Sequence, residues 1–165
     1  FDYLAGVVHF FPWQGEWLYI EEAAGPARLA AYADQLIRTM ACGFFTFTVH
    51  PDAFLAGYRK WDENSRSCAR DILRAASEYG AVLEINGNGF RKRRQKKLKD
   101  SEAFYPHDEF WRLAAEYGIK TVCSSDAHNP EDVCDSLEDC LATASECGVR
   151  VLGAAELIRQ NPFGG

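Results

Sequence analysis

The sequence contains no apolar run long enough to cross a membrane, so no membrane partner is expected. Six cysteines are present, but none forms a Cys-x-x-Cys pair and no pair has zinc-finger spacing. They are therefore predicted to be reduced core thiols, which suit a cytoplasmic protein. Positive charge is also scarce, since 18 Lys and Arg stand against 24 Asp and Glu. This balance argues against a surface that binds nucleic acid over its whole extent.

Methionine is almost missing as well. The only one, Met40, lies inside a helical pattern, and the chain opens with Phe1 on the approach to a strand. We therefore expect the natural protein to contain residues before Phe1. The chain has 165 residues and is 47% hydrophobic, which predicts a single domain over residues 1–165 with a sizeable core.

Strand-like and helix-like segments alternate along the whole chain. Helical stripes of period 3.6 end at glycines such as Gly43 and Gly148. The predicted strands are residues 3–9, 44–49, 81–86, 119–123 and 149–152. Alternation of this kind predicts an α/β fold with parallel strands and right-handed crossovers. A complete (β/α) barrel takes roughly 250 residues, so five such units would make about two thirds of one.

Polar side chains follow several of the predicted strands. His9 and His50 each come at a strand end, and Asp126 and His128 follow the strand that ends at Cys123. The carboxyl ends of parallel strands share one face, so these side chains are expected to converge. Imidazole and carboxylate suit zinc, iron or manganese, which predicts a divalent-metal site. Each of these residues also has an interpretation that involves no metal. Each His taken singly is also explained as a loop or core residue, and Asp126 as a helix cap.

A run of seven basic residues between Arg91 and Lys99 follows the strand that ends with Glu84 and Asn86. Residues 87–89 are predicted to form a turn, and the run is predicted to form a loop near the same rim. One interpretation is a solvated loop. The other is a local anion site in an otherwise acidic chain, with an Arg at its start that clamps a phosphate.

Three further segments carry weaker signals. The aromatic stretch from Phe10 to Tyr19 is predicted to be a loop that serves as a lid, as one wall of a substrate pocket or as ordinary packing. Asn129 and Pro130 predict the N-cap and first residue of a helix. His107 is predicted to be a helix cap or a surface residue.

Four motifs together resemble the PHP (polymerase and histidinol phosphatase) metallophosphoesterases, in particular the histidinol-phosphatase-like branch. Over nearly the whole chain and in the family's order, the matching segments read DYLAGVVHF, FTFTVHPDAF, LEINGNGFRK and YPHDEFWRLAAEYGIKTVCSSDAH. The resemblance implies a distorted (β/α)7 barrel, of which this chain holds roughly the last five βα units.

The resemblance also implies a site and a reaction. The implied metal ligands, for two or three divalent ions, are His9, His50, Asp126 and His128. A metal-bound hydroxide would hydrolyse a small phosphate monoester such as histidinol phosphate. Asp126 and Arg91 would be catalytic, and the implied substrate-binding residues are Arg91, Asn86 and Glu84.

The chain departs from the family at its start, because the family's first His-x-His motif is missing. Residues before Phe1 are therefore expected to complete the metal site. Without them the metal site is expected to be incomplete, which leaves the activity of the chain alone open. The open sheet edge is expected to pair with a neighbouring molecule, or else the first strand is expected to be poorly ordered. Two alternatives remain open: a phosphodiesterase or nuclease that uses the basic run, and a truncated, non-catalytic domain.

Overall fold

The computed structural model describes residues 2–99 and 101–160. The strands are β1 (Ala5–Gly6), β2 (Phe10–Trp13), β3 (Glu16–Tyr19), β4 (Phe47–Thr48), β5 (Leu83–Asn86), β6 (Lys120–Ser124) and β7 (Arg150–Val151). Five of them form a parallel sheet in the order β1-β4-β5-β6-β7. The predicted α/β class and parallel sheet are confirmed. The first strand is shorter than predicted, because only Ala5 and Gly6 pair with β4.

The helices are α1 (Pro26–Ala41), α2 (Leu55–Tyr58), α3 (Glu63–Tyr79), α4 (Gly87–Lys96), α5 (Asp108–Glu116), α6 (Leu137–Cys147) and α7 (Ala154–Ile158). Within the described ranges, no helix is long and apolar enough to cross a membrane. The sequence explains where α3 begins and ends. Asp62 caps its first turn by accepting the N–H groups of Asn64 and Ser65, and Gly80 ends it in the left-handed conformation.

Four helices pack side by side in the order α1, α3, α5 and α6, and α6 also contacts the sheet. The predicted stripe on α1 is buried in this layer, as Leu29 and Leu36 show. Leu83 and Ile85 of β5 belong to the same core cluster, so their side chains face the helices. Alternate residues of a strand point to opposite faces of the sheet, so the side chains of Glu84 and Asn86 lie on the face away from the helix layer.

The second face of the sheet has a smaller apolar cluster. It consists of Phe47, Val82, Val122 and Leu152, with Leu157 of α7 packed against it. Glu84 accepts a hydrogen bond from the Ser124 hydroxyl on this face. Apolar residues therefore fill the amino-terminal half of the face, and polar residues gather at the carboxyl ends of the strands.

The aromatic stretch was predicted to be a loop, and that prediction is wrong. β2 and β3 pair in antiparallel register as a hairpin, with Phe11 opposite Leu18. Gln14 and Gly15 both have positive φ, as a tight hairpin turn requires. Phe11 is fully buried against Tyr32 of α1, with ring centroids 6.2 Å apart. That contact holds the hairpin on the helix layer.

The predicted turn and loop over residues 87–99 are also corrected, because residues 87–96 form α4. The Asn86 side-chain oxygen caps this helix by accepting the N–H of Gly89 at 3.1 Å. A Cβ on Gly89 would lie 2.6 Å from the Tyr105 carbonyl oxygen, and one on Gly87 would lie 2.9 Å from the Ser124 carbonyl oxygen. Only glycine therefore allows the first turn of α4 to approach these two loops so closely.

The helix predicted to start at Asn129 begins later, at Leu137. Pro130–Asp132 form only a short 3-10 turn. The Asp132 carboxylate accepts the backbone N–H groups of His128 and Asn129, at 3.2 and 3.1 Å. These bonds favour the first turn, but Val133 then adopts an extended conformation with ψ of 123°, and Cys134 and Ser136 have positive φ, so the helical path is interrupted until Leu137.

Candidate functional site

The carboxyl ends of the strands surround a cavity of about 240 Å³. It lies beside the predicted ligands, and its polar lining residues are His9, Tyr19, His50, Asn88, Lys92, Tyr105, Asp126 and His128. The structure therefore brings together all four side chains that were predicted as metal ligands. Sequence reasoning missed Asn88 and Lys92, which stand four residues apart on α4 and so share one helix face.

The side chains of His9 and His50 lie next to each other in the lining of this cavity. Their Nε2 atoms are 3.2 Å apart, and their rings stack with centroids 5.2 Å apart. Burial, followed by the neighbouring His9, lowers the pKa of His50 to about 4. Burial and then the charge of Lys92 lower the pKa of His9. Both rings are therefore neutral at pH 7, the form in which imidazole binds a metal ion.

Glu84 holds the backbone on which His50 stands. Its Oε2 accepts the His50 N–H at 3.0 Å and the Asn86 amide at 2.8 Å. Burial raises the pKa of Glu84, whereas these hydrogen bonds and the one from Ser124 lower it. His50 has φ of 33°, a left-handed conformation that costs a non-glycine residue energy. Glu84 and Asn86, predicted to bind substrate, lie buried below the cavity and contact its lining residues.

Asp126 has a similar support. Its Oδ2 accepts the amides of Asn86 at 3.0 Å and Asn88 at 3.3 Å. Its φ of 47° is again left-handed. Two residues that were predicted as metal ligands, His50 and Asp126, thus sit in strained backbone that neighbouring buried groups hold in place.

Arg91 was predicted to contact the phosphate, but the structure places its guanidinium behind the Asp126 loop. One nitrogen donates to the carbonyl oxygens of Ser125 at 2.7 Å and Asp126 at 2.8 Å. The guanidinium also pairs with Asp132 at 3.4 Å, and only 6% of the side chain is exposed. These contacts tie α4 to the loop that carries Asp126.

His128 is exposed at the rim of the cavity, with 63% of its side chain accessible to solvent. Its Nδ1 lies 2.8 Å from the backbone carbonyl oxygen of Asp126. A carbonyl can only accept a hydrogen bond, so Nδ1 carries a proton in this contact, and in the neutral ring Nε2 is the nitrogen with the lone pair. His128 therefore has a nitrogen available to a ligand at the rim.

The donor set of the cavity partly fits a divalent metal ion. Two nitrogen ligands on a tetrahedral zinc ion, with bonds of about 2.0–2.1 Å, would lie about 3.3–3.4 Å apart. The observed separation of 3.2 Å between the His9 and His50 Nε2 atoms is close to this value. Over residues 2–99 and 101–160, however, no three His, Cys, Asp or Glu side chains are already arranged around one point. The histidine pair fits a metal, and Asp126 and His128 lie on the same cavity.

A second buried carboxylate lies just beyond this site. Asp52 is 1% exposed, and its Oδ2 accepts the His107 N–H at 2.9 Å. Burial raises the pKa of Asp52 to about 7, against hydrogen bonds that lower it. His107 occupies the N-cap position of α5 without a side-chain capping bond, and its ring packs 4.8 Å from that of Trp61. Asp52 therefore links the turn after His50 to the start of α5.

Comparison of the chain with protein-family models gives no match, and comparison with curated proteins gives none either. Function is therefore inferred from the geometry of the site.

Proposed function

We propose that this chain is a metal-dependent phosphatase of the PHP type that hydrolyses a small phosphate monoester such as histidinol phosphate. The observation that supports this most is the meeting of His9, His50, Asp126 and His128 on one cavity. A cation, Lys92, lines the same cavity. Neutral imidazoles, a carboxylate and a nearby cation are the groups that metal-assisted phosphoester hydrolysis uses.

His9 and His50 would hold one divalent ion, zinc, iron or manganese, and Asp126 and His128 would supply ligands beside them. Such ions lower the pKa of a coordinated water and neutralise charge on phosphoryl oxygens. Asp126 Oδ2 is occupied by two amides, so its Oδ1 is the oxygen that would bind an ion or accept a proton. Arg91 would act as a positioning residue, because it holds the Asp126 backbone.

The ion pairs of the basic residues in α4 favour a small substrate over nucleic acid. Arg94 pairs with Asp135 and Asp139, and Lys96 pairs with Glu21 at 2.7 Å. Nucleic-acid binding needs several cations free to contact consecutive phosphates. Three of the seven cations in this run, Arg91, Arg94 and Lys96, are instead paired with carboxylates of the chain, so a nuclease remains the second choice.

We also propose that the sheet is part of a distorted seven-stranded (β/α) barrel. Its second face supports this arrangement, because Phe47, Val82 and Val122 form an apolar cluster there while the main helix layer covers the opposite face. In a (β/α) barrel, side chains of this kind fill the interior and the polar residues at the carboxyl ends form the active site.

The activity test uses the intact protein, together with any residues that precede Phe1 in it, with Mn²⁺, Fe²⁺ or Zn²⁺ and a panel of phosphate monoesters, with histidinol phosphate first. We expect turnover that stops when the metal is chelated. His50→Ala and Asp126→Asn should each reduce kcat/KM by about 100-fold or more, since each removes a metal ligand. Released inorganic phosphate is the measured product.

Asp139→Asn is the matched control for Asp126→Asn. Asp139 is an exposed carboxylate that pairs with Arg94, so its loss should leave kcat/KM within about twofold. The proposed phosphatase function would be contradicted if the His50→Ala and Asp126→Asn variants both kept the kcat/KM of wild type. It would also be contradicted if the wild-type protein showed no turnover with any metal. Salt-sensitive binding to oligonucleotides without monoester hydrolysis would favour the nuclease.

A further inference from the structure

The basic side chains of α4 make different contacts. The Arg91 guanidinium is taken up by two backbone carbonyls and Asp132. Arg94 and Lys96 form ion pairs with Asp135 and Glu21. Lys92 instead lines the cavity, one helical turn after Asn88. Helical geometry thus turns Lys92 toward the candidate site and Arg91 away from it.

Lys92 reaches the cavity without an anionic partner of its own. Its ammonium lies 5.9 Å from the centre of the Tyr105 ring, which also lines the cavity. Within the described residues, no Asp or Glu forms an ion pair with Lys92, whereas Lys96 on the same helix has one at 2.7 Å. A cation placed in this way has no ion-pair partner of its own in the described part of the chain, and it shares the cavity with the Asp126 carboxylate and the His9 and His50 rings.

We propose that Lys92, and not Arg91, is the side chain that binds the phosphate group of the substrate. This inference rests on the proposed function, because it concerns the same cavity. The ammonium would donate hydrogen bonds to phosphoryl oxygens that approach the His9–His50 pair. Tyr105 supports the Lys92 charge through a cation–π contact. Arg91 keeps a positioning role through the Asp126 backbone.

The proposal is tested with Lys92→Met, which keeps an unbranched side chain of nearly the same length and removes its charge. A charge-assisted hydrogen bond to a phosphate contributes a factor of about 10 to 100 in affinity. We expect the dissociation constant of inorganic phosphate, measured by calorimetry in the presence of Mn²⁺ or Zn²⁺, to rise by that factor. KM for a phosphate monoester should rise similarly, with a smaller change in kcat.

Two variants separate this role from a structural one. Lys92→Arg restores a cation at the same place and should recover most of the phosphate affinity. Lys96→Met removes the same charge one turn further along α4, outside the cavity, and should leave affinity and KM within about twofold. Thermal unfolding of every variant checks that the fold persists, and Lys92→Gln serves as a second neutral replacement if Lys92→Met unfolds.

The outcomes distinguish this inference from the proposed function. If the protein binds phosphate in a Lys92-dependent manner but does not hydrolyse monoesters, the role of Lys92 is supported and the proposed phosphatase activity is overturned. Hydrolysis with unchanged phosphate affinity and KM in both neutral Lys92 variants overturns the role of Lys92 and keeps the phosphatase. A wild-type chain that neither binds phosphate nor hydrolyses monoesters overturns both.

Discussion

Replacing Arg91 by Met should destabilise the chain strongly, although the residue sits in a run that looks like a solvated surface. The guanidinium is 6% exposed and donates to the carbonyls of Ser125 and Asp126 at 2.7 and 2.8 Å. Each charge-assisted hydrogen bond contributes about 1.5–3 kcal/mol. Water can reach part of the Asp126 loop and replace some of these bonds, so the lower end applies. We therefore expect a loss of about 3 kcal/mol in the free energy of unfolding.

The assay is urea unfolding followed by tryptophan fluorescence, with Arg94→Met as the matched control. Arg94 belongs to the same helix and has the same charge, but its side chain is 54% exposed and its ion pairs lie at the surface. Its loss should cost less than about 1 kcal/mol. Equal, small losses in the two variants would refute the structural role of Arg91. The Arg91 guanidinium would then be solvated in the folded chain and not held behind the Asp126 loop.

Two further expectations concern stability. The pKa of Asp52 is raised to about 7 in the folded chain, so ionising it costs stability, and that cost grows from about pH 4 to about pH 7. The free energy of unfolding of Asp52→Asn should therefore rise relative to that of wild type as pH rises over this range. The two proteins are compared at each pH because His50, with its pKa lowered to about 4, changes the stability of both in the opposite direction. A difference that stays flat with pH in chelator-treated protein would contradict this account. Gly89→Ala should cost about 1–3 kcal/mol in urea unfolding, because its Cβ would lie 2.6 Å from the Tyr105 carbonyl. Gly153→Ala, where a Cβ meets nothing within 4 Å, should cost only about 0.5 kcal/mol, the difference between glycine and alanine at the N-cap of α7. Equal losses in the two variants would count against the close packing of α4.

The sequence predicted the location of the site better than its details. Parallel strands place their carboxyl ends on one face, so the positions of His9, His50 and Asp126 after predicted strands were enough to expect that they meet. The helical conformation of α4 could not be predicted from the sequence. A helix is recognised from a periodic apolar stripe, and residues 87–96 contain almost no apolar side chains.

That missing signal had a direct consequence for the site. In a loop, Arg91 and Lys92 are equivalent candidates for an anion. In a helix they point about 100° apart, and only Lys92 shares a face with Asn88. The hairpin was missed for a related reason, since Pro12 lies within β2 and proline usually argues against a strand.

The most direct test of the metal site is a crystal structure of the chain grown with Mn²⁺ or Zn²⁺, with anomalous scattering used to locate the ions. We expect a peak bound by the Nε2 atoms of His9 and His50, with an oxygen of Asp126 among its ligands or on a neighbouring ion. At saturating metal, a histidine pair that stays hydrogen-bonded with no anomalous peak in the cavity would contradict the account.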